Sequence, residues 1–306
     1  MERYKQEAEY VSQGRNGGSL DNLKGHPDKG TYSQGGTAST LSDICKLNID
    51  HSNDWREKNS SSDPYQGPCT GKGKNRFVIG QKWGPKVDEV NAEHKDVLFP
   101  PRRLDMCTSN LENLGQNDKT PTFLNNVSVN DSFTGDVLLA AKEEAQNILL
   151  LYGDKNDYPG MCRVVRASFA DLGDIIRGTD IWSGNTDMER LQKHLVTIFK
   201  NIHSSLGINV SKYTNSDGKY TTLRSDWWTA NRSQVWDAIK CVVQDLFAAS
   251  DIKSGPGGIS SSVSAYCGYN TEVPLDDYIP QKLRWMTEWT ENYCKQLYRH
   301  HKDVKD

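Results

Sequence analysis

Apolar positions are sparse and unevenly distributed along this chain. Residues 1–97 alternate Gly, Ser, Asn, Asp and Lys with little sustained periodicity. The stretches 14–36 and 53–73 read as loops, with short helical pieces expected near residues 37–47. The pattern changes at Leu98-Phe99-Pro100-Pro101-Arg102-Arg103-Leu104. Pro100 and Pro101 suit the first turn of a helix, where a missing N–H donor costs nothing. Leu104, Cys107, Leu111 and Leu114 then fall on one face of a helix running on from that start.

Four further amphipathic stretches follow. One runs from about residue 133 to 152, with Val137, Leu138, Ala141, Ala145, Ile148 and Leu149 inward, and Tyr158-Pro159-Gly160 closes its connection. After Cys162 the inward residues are Val165, Phe169, Leu172, Ile175 and Ile176. Thr186 and Glu189 have capping-box spacing, so Thr186 starts the next helix, with Leu191, Leu195, Ile198, Phe199 and Ile202 inward. A helix from about 226 to 248 buries Trp228, Val235, Trp236, Ile239, Val242, Leu246 and Phe247. Ser254-Gly255-Pro256-Gly257-Gly258 breaks the pattern. Pro280 opens a last long helix with Leu283, Met286, Trp289, Tyr293 and Leu297 on one stripe. A single amphipathic helix cannot bury its own stripe, so this one needs a companion, either the bundle or a helix past the C-terminus.

The expected organisation is mostly α. An irregular unit spans residues 1–97, a helix bundle 98–249 and a partial helical unit 250–306. The 306 residues are only 35% apolar, with a mean hydropathy of −0.73. Eight Trp, 13 Tyr and 7 Phe supply the core area that aliphatic residues do not. A net charge of −3 argues against an obligate nucleic-acid binder. No run of 18 apolar residues marks a membrane span, and the first residues lack the apolar stretch of a signal peptide.

Seven cysteines at 45, 69, 107, 162, 241, 267 and 294 have no C-x-x-C spacing, which argues against a metal site or a redox motif. Buried free thiols are one reading. The favoured one is disulfides among Cys45, Cys69, Cys107, Cys162, Cys241 and Cys267 in an oxidising compartment. Cys45 and Cys69 are expected to hold the irregular unit, and Cys241 and Cys267, which flank the Gly-rich break, to pair. Cys294 is left over, with a partner expected beyond residue 306.

No catalytic residue can be nominated, and no cofactor is implied. His94, His194, His203, His300 and His301 lack any partner motif and read as scattered surface residues. Arg102 and Arg103 either hold an anionic ligand or pair with acids of the bundle, the commoner role of such arginines. Trp227 and Trp228 beside Asp226 either stack a glycan or pack in the core, and spacing to Trp236 favours the core. The same reading applies to Arg284, Trp285 and Trp289. Two basic surfaces, Lys72, Lys74 and Arg76 in one loop and Lys193, Lys200 and Lys212 downstream, are candidate ligand-binding groups of a kind that suits a sulfated polysaccharide. Five N-x-[ST] sequons start at Asn59, Asn126, Asn130, Asn209 and Asn231.

Several of these pieces together resemble a known family. Phe99 to Arg103 with Cys107 and Asn110-Leu111, Ser168-Phe169-Ala170-Asp171-Leu172-Gly173-Asp174, Leu223 to Trp228 with Trp236 and Cys241, and Asp277 to Gln281 with Arg284, Trp285, Trp289 and Cys294 look like Duffy-binding-like domains. The chain is similar, over about residues 40–300, to domains of the erythrocyte membrane protein 1 adhesins of malaria parasites. The segment Met106 to Glu112 leans to the beta-like or related classes. The resemblance implies a disulfide-stapled helical fold of three subdomains, with the third truncated to about one helix. It implies structural roles for Pro100, Pro101, Arg102, Arg103, Phe169, Asp171, Asp174, Trp227, Trp228, Trp236, Pro280, Arg284, Trp285 and Trp289. It further implies a non-enzymatic cytoadhesion domain of a variant antigen on infected erythrocytes. The expected partners are a host protein receptor or a sulfated glycan, and neighbouring domains of the same adhesin. A non-binding spacer is the third reading. Known ligand classes of the family include intercellular adhesion molecule, chondroitin sulfate, heparan sulfate and immunoglobulin M.

Overall fold

A computed structural model describes residues 20–84, 97–116, 120–125, 128–182, 186–206, 212–213, 215–249 and 273–303. Among these residues the regular structure is helical throughout. The α-helices are α1 (Pro101–Leu104), α2 (Ser109–Glu112), α3 (Val129–Leu151), α4 (Tyr158–Arg177), α5 (Thr186–Ser205), α6 (Thr221–Ala249) and α7 (Gln281–Asp303). Short 3-10 turns punctuate residues 20–46, two of them at Ala38–Thr40 and Ile44–Lys46, where short helical pieces are expected.

Helix α3 lies at the centre and packs along α6, with α4 and α5 beside the pair. Its first half is buried on nearly every side, from Ser132 through Ala141. That is why its apolar periodicity is weak: a helix covered all round has no polar face to alternate with. Helix α4 is bounded as local chemistry demands. The Asp157 side chain accepts the Gly160 N–H, Pro159 sits in the first turn, and Gly178 closes the end at φ +78° with its N–H on the Asp174 and Ile175 carbonyls.

Two aromatic clusters fix the helices together. Phe133 of α3, Phe199 of α5 and Trp227 of α6 have ring centroids 5.0–5.8 Å apart. Phe169 of α4 sits 5.4 Å from Trp228 and 5.3 Å from Trp236, both on α6. Successive residues on a helix point about 100° apart, so Trp227 and Trp228 serve two different neighbours. Each indole N–H is also satisfied, by the Asn130 side-chain oxygen at 2.6 Å and the Asp277 carboxylate at 2.8 Å. Gly173 is required here, since a Cβ on it would lie 2.8 Å from the Trp228 ring.

The polar segment before residue 84 is not separate from this core. Leu23, Tyr32, Leu41, Leu47 and Phe77 belong to the same buried cluster as the helices. Cys45 bonds Cys241 of α6 and Cys69 bonds Cys107. Both cysteines expected to hold this segment therefore tie it to the bundle. The expected Cys241–Cys267 bridge is corrected: Cys241 is occupied by Cys45, across 196 residues. Cys162 is disulfide-bonded as well, Cys294 is free and exposed, and Cys267 lies outside the described residues, as do the Gly-rich break, Asn126 and Asn209.

The single helix expected from Pro100 through Leu114 is instead two single turns. Tertiary partners take the backbone donors that would have continued it. The Cys107 N–H donates to Glu144 and the Ser109 N–H to the Pro68 carbonyl. Cys107, Leu111 and Leu114 are buried all the same. The side chains of Leu246 and Phe247 lie outside the described set.

Candidate functional site

The residues singled out in the sequence converge mainly on one place, the seam where α1, α4 and α7 meet. Arg102 points inward from α1, 2% exposed. Its Nη2 is 2.7 Å from Asp171 of α4 and 2.9 Å from Glu288 of α7, and its Nη1 donates to Ser168. Arg284 of α7 reaches Asp171 and Asp174, each at 2.5 Å. The Trp285 indole N–H donates to Asp171 at 3.1 Å, and Gln281 bridges Asp171 and Asp180. Arg103 pairs with Asp180 at 2.5 Å beneath the Trp182 ring. Burial by itself would raise the Asp171 pKa, but the charges of Arg102, Arg284 and Arg103 outweigh it and hold the carboxyl well below the usual range. Of the two readings of Arg102 and Arg103, the ion pair with bundle acids is the observed one. Phe99 against Trp285 at 5.4 Å completes the joint.

A second polar cluster fastens the irregular segment to α3. Asp136, fully buried, accepts from the Ser52 hydroxyl, the Asn53 N–H and the Asn53 side-chain amide at 2.8–2.9 Å. These donors are neutral, so burial dominates and pushes Asp136 up to about 7. One face away, Glu144 takes Arg76, the Cys107 N–H and the Ser168 hydroxyl. Asp136 and Glu144 were not singled out from the sequence. The legible signal was two carboxylates eight residues apart on an apolar helix that also buries Val137, Ala140 and Ala145.

Two of the nominated basic groups, Arg76 and Lys72, are withdrawn from the exposed surface expected of them. Arg76 is 4% exposed and bound to Glu144 and Asn147. Lys72 pairs with the buried Glu112 at 2.6 Å, and Lys212 with the buried Asp226 at 2.8 Å while lying over the Tyr213 ring. Burial beside carboxylates withdraws Arg76 and most of Lys72 from solvent, whereas Lys212 stays exposed above its buried partner. Lys74, Lys193 and Lys200 are exposed. Trp227, Trp228 and Trp236 are core, as expected. His194 is buried rather than on the surface, His203 sits with its Nε2 3.1 Å from the Tyr213 carbonyl, His300 and His301 are exposed, and His94 lies outside the described residues.

Helix α7 presents the most distinctive surface. Its bundle side is polar apart from Trp285: Gln281, Arg284, Glu288, Glu291 and Lys295 all engage the bundle or its own turns. Its outer side is apolar, with Met286 66% exposed, Tyr293 46% and Leu297 51%. Trp289, expected in the core, is 39% exposed and stacks on Tyr293 with centroids 5.3 Å apart. Anchoring through charge leaves the apolar stripe outward, the reverse of an ordinary surface helix. Between α7, α4 and the loop at 77–83 lies a groove of about 530 Å³, lined by Val78, Ile79, Trp83, Val164, Leu283 and Met286 and bridged by Arg163 to Glu291. No group of described His, Cys, Asp and Glu residues has the arrangement of a metal site, and no described helix is long and apolar enough to cross a membrane.

Comparison with known proteins gives this architecture a family. Residues 96–284 match the model of the Duffy binding domain. The Duffy receptor of Plasmodium vivax (strain Salvador I) is 26% identical over 203 residues, which are 66% of this chain and 16% of that protein. The chain thus spans about a sixth of the curated relatives it matches. Among solved structures, the DBLb domain of a PfEMP1 bound to human ICAM-1 superposes with a TM-score of 0.79 at 41% identity, covering 99% of this chain and 63% of that one. The NTS-DBL1-alpha and CIDR-gamma double domain of the PfEMP1 protein from Plasmodium falciparum varO strain gives 0.74 at 30% identity, covering 99% and 44%. The higher identity to the DBLb domain agrees with the lean read from Met106 to Glu112.

Proposed function

The chain belongs to the Duffy binding domain family, and from that membership we propose that it is a host-receptor-binding adhesion domain. Its place would be in a variant surface antigen displayed on the infected erythrocyte. The observation that carries the reading is the 41% identity and 0.79 TM-score, over 99% of the chain, to a domain whose structure holds human ICAM-1.

The geometry supports a binding role over a catalytic one. The buried carboxylates of Asp171, Asp174 and Asp180 are neutralised by Arg102, Arg284 and Arg103. They therefore serve as joints between helices rather than as acids or bases awaiting a substrate. What the molecule offers to partners is surface. The outer face of α7 groups Met286, Trp289, Tyr293 and Leu297, the aromatic and methionine composition that protein interfaces favour. An apolar face of that extent is covered by protein in the working molecule, whether a receptor or an adjoining part of the adhesin. A sulfated-glycan role is less well supported, because three of its six nominated cations already hold buried carboxylate partners. The division into units at 1–97, 98–249 and 250–306 remains part of this proposal.

The test is a panel of immobilised host receptor ectodomains, human ICAM-1 among them, probed with the purified oxidised domain. Saturable binding to one protein receptor supports the reading. Silence on every receptor, from protein with its disulfides intact, would overturn it.

A further inference from the structure

The two bridges that fasten the irregular segment differ at their buried sulfurs. In Cys69–Cys107, Cys107 is sealed from solvent while Cys69 is half-buried and can be reached. Arg76 Nη2 donates to Cys107 Sγ at 3.2 Å and to the Asn147 side-chain oxygen at 3.1 Å. Nη1 of the same guanidinium holds Glu144 at 2.8 Å, and its Nε, also buried, has no acceptor. A disulfide sulfur is a weak acceptor, so a buried cation set against it is under-used. A thiolate at Cys107 would use that cation fully, because charge-assisted hydrogen bonds are about twice as strong as neutral ones. Glu144 opposes such a charge, but its own is already shared among Arg76, the Cys107 N–H and the Ser168 hydroxyl. Cys45–Cys241 lacks this device. Cys45 is exposed, and no described residue donates a hydrogen bond to the sulfur of the buried Cys241.

We propose that Cys69–Cys107 is a thiol–disulfide exchange site, opened by a low-molecular-weight thiol of the glutathione class. The incoming thiolate attacks Cys69 Sγ, the S–S bond breaks, and its electron pair leaves on Cys107 Sγ as a thiolate held by Arg76. A leaving sulfur whose anion is stabilised departs faster, which sets the direction of attack. Cys69 is left as a mixed disulfide. A second thiolate attacks the outer sulfur of that mixed disulfide, the oxidised dimer of the thiol departs, and Cys69 takes a proton from water. The bundle survives the opening because other bonds cross the same joint: the Ser109 N–H to the Pro68 carbonyl, Lys72 to Glu112, and the Gly73 N–H to Asp105. What loses its tether is the loop after Cys69, which carries Val78, Ile79 and Trp83 of the groove beside α7. Exchange at Cys69 is thereby coupled to the wall of that groove.

The experiment is a time course of the oxidised domain in reduced glutathione, with the Cys294 thiol blocked by a maleimide beforehand. Samples are quenched in acid, alkylated and peptide-mapped. Cys107 is expected as the first new free thiol, with glutathione on Cys69 and Cys45–Cys241 still closed. Amide exchange of that species should rise in residues 70–83 and stay unchanged along α3. Arg76→Gln should slow the opening by about tenfold, the factor that corresponds to about 1.4 kcal/mol of lost thiolate stabilisation. Arg76→Lys keeps the charge and should stay nearer the wild-type rate. Earlier opening of Cys45–Cys241 would overturn the proposal, and so would glutathione on Cys107 in place of Cys69. A folded Arg76→Gln protein that opens as fast as wild type would also overturn it. Should that variant not fold, the wild-type map decides alone. Receptor binding by the oxidised protein is a separate measurement, so neither result stands in for the other.

Discussion

Arg102 and Asp171 meet at 2.7 Å with both side chains sealed from solvent, and this pair ties the opening turn of the bundle to its fourth helix. Asp171 also receives Arg284 and Trp285 from α7. One carboxylate therefore serves three elements distant in sequence. Removing one member of a buried pair leaves an uncompensated charge, which costs about 3–5 kcal/mol. Asp171→Ala is expected to fall by that much in chemical denaturation and to raise amide exchange along α7. Wild-type stability with unchanged exchange would show that the helix is held elsewhere.

Asp136 sets a pH dependence of opposite sign to that of Asp171. Its carboxyl is pushed up to about 7, so the folded form holds its proton longer than the unfolded chain does. Its contribution to stability is greatest below about pH 4, declines as pH rises toward 7 and is level above that. The slope in that window is at most about 1.4 kcal/mol per pH unit. Asn cannot titrate, so Asp136→Asn should lose this slope. Denaturation midpoints of the two proteins at pH 5 and pH 8 check it, since parallel shifts would contradict the assignment.

Trp236 is 2% exposed and packs on Phe169 at 5.3 Å. Trp236→Ala should cost about 3–5 kcal/mol as a truncation in a dense core. An unchanged melting temperature would show that the indole is dispensable.

The Cys45–Cys241 bridge closes a loop of 196 residues between the irregular segment and α6. Loop-closure entropy puts the loss on removing it at about 5 kcal/mol. The Cys45→Ser, Cys241→Ser double variant should unfold at lower denaturant, with its first protection losses in residues 37–54. Equal stability of the two proteins would mean that the hydrogen bonds of Asp136, and those Lys142 of α3 donates to the Cys45 and Leu47 carbonyls, hold the segment unaided.

Much of the bundle was legible in the sequence because its helices α4 and α5 follow a clean 3.6-residue period, and α4 carries local caps as well. Asp157, Pro159 and Gly178 bound α4 by chemistry confined to a few residues. Arg102, Arg103, Arg284, Trp227, Trp228 and Trp285, which the family motifs mark, each have a polar partner in the structure, while Trp289 faces outward. What local pattern could not show was decided at long range. The bridge from Cys45 to Cys241 crosses most of the chain, and the break between α1 and α2 exists because Glu144 and Pro68 claim backbone donors. Trp289 read as core because its spacing is right for a buried stripe. Spacing cannot tell which side of a helix faces the bundle, and here the charged side won it through Arg284 and Glu288. The basic loop misled for a similar reason: the carboxylates that neutralise Lys72 and Arg76 lie 40 and 68 residues further on.

Salt dependence of receptor binding separates protein recognition from polyanion recognition. Affinity of the oxidised domain for human ICAM-1, and for any other receptor found in the panel, would be measured at about 50 and about 200 mM salt beside a sulfated polysaccharide. Docking through an aromatic and aliphatic surface should persist with less than about a tenfold change, since exposed charges alone are screened over that range. Absence of receptor binding, together with polysaccharide binding that collapses by about 10³ or more across the same range, would contradict the adhesion-domain account.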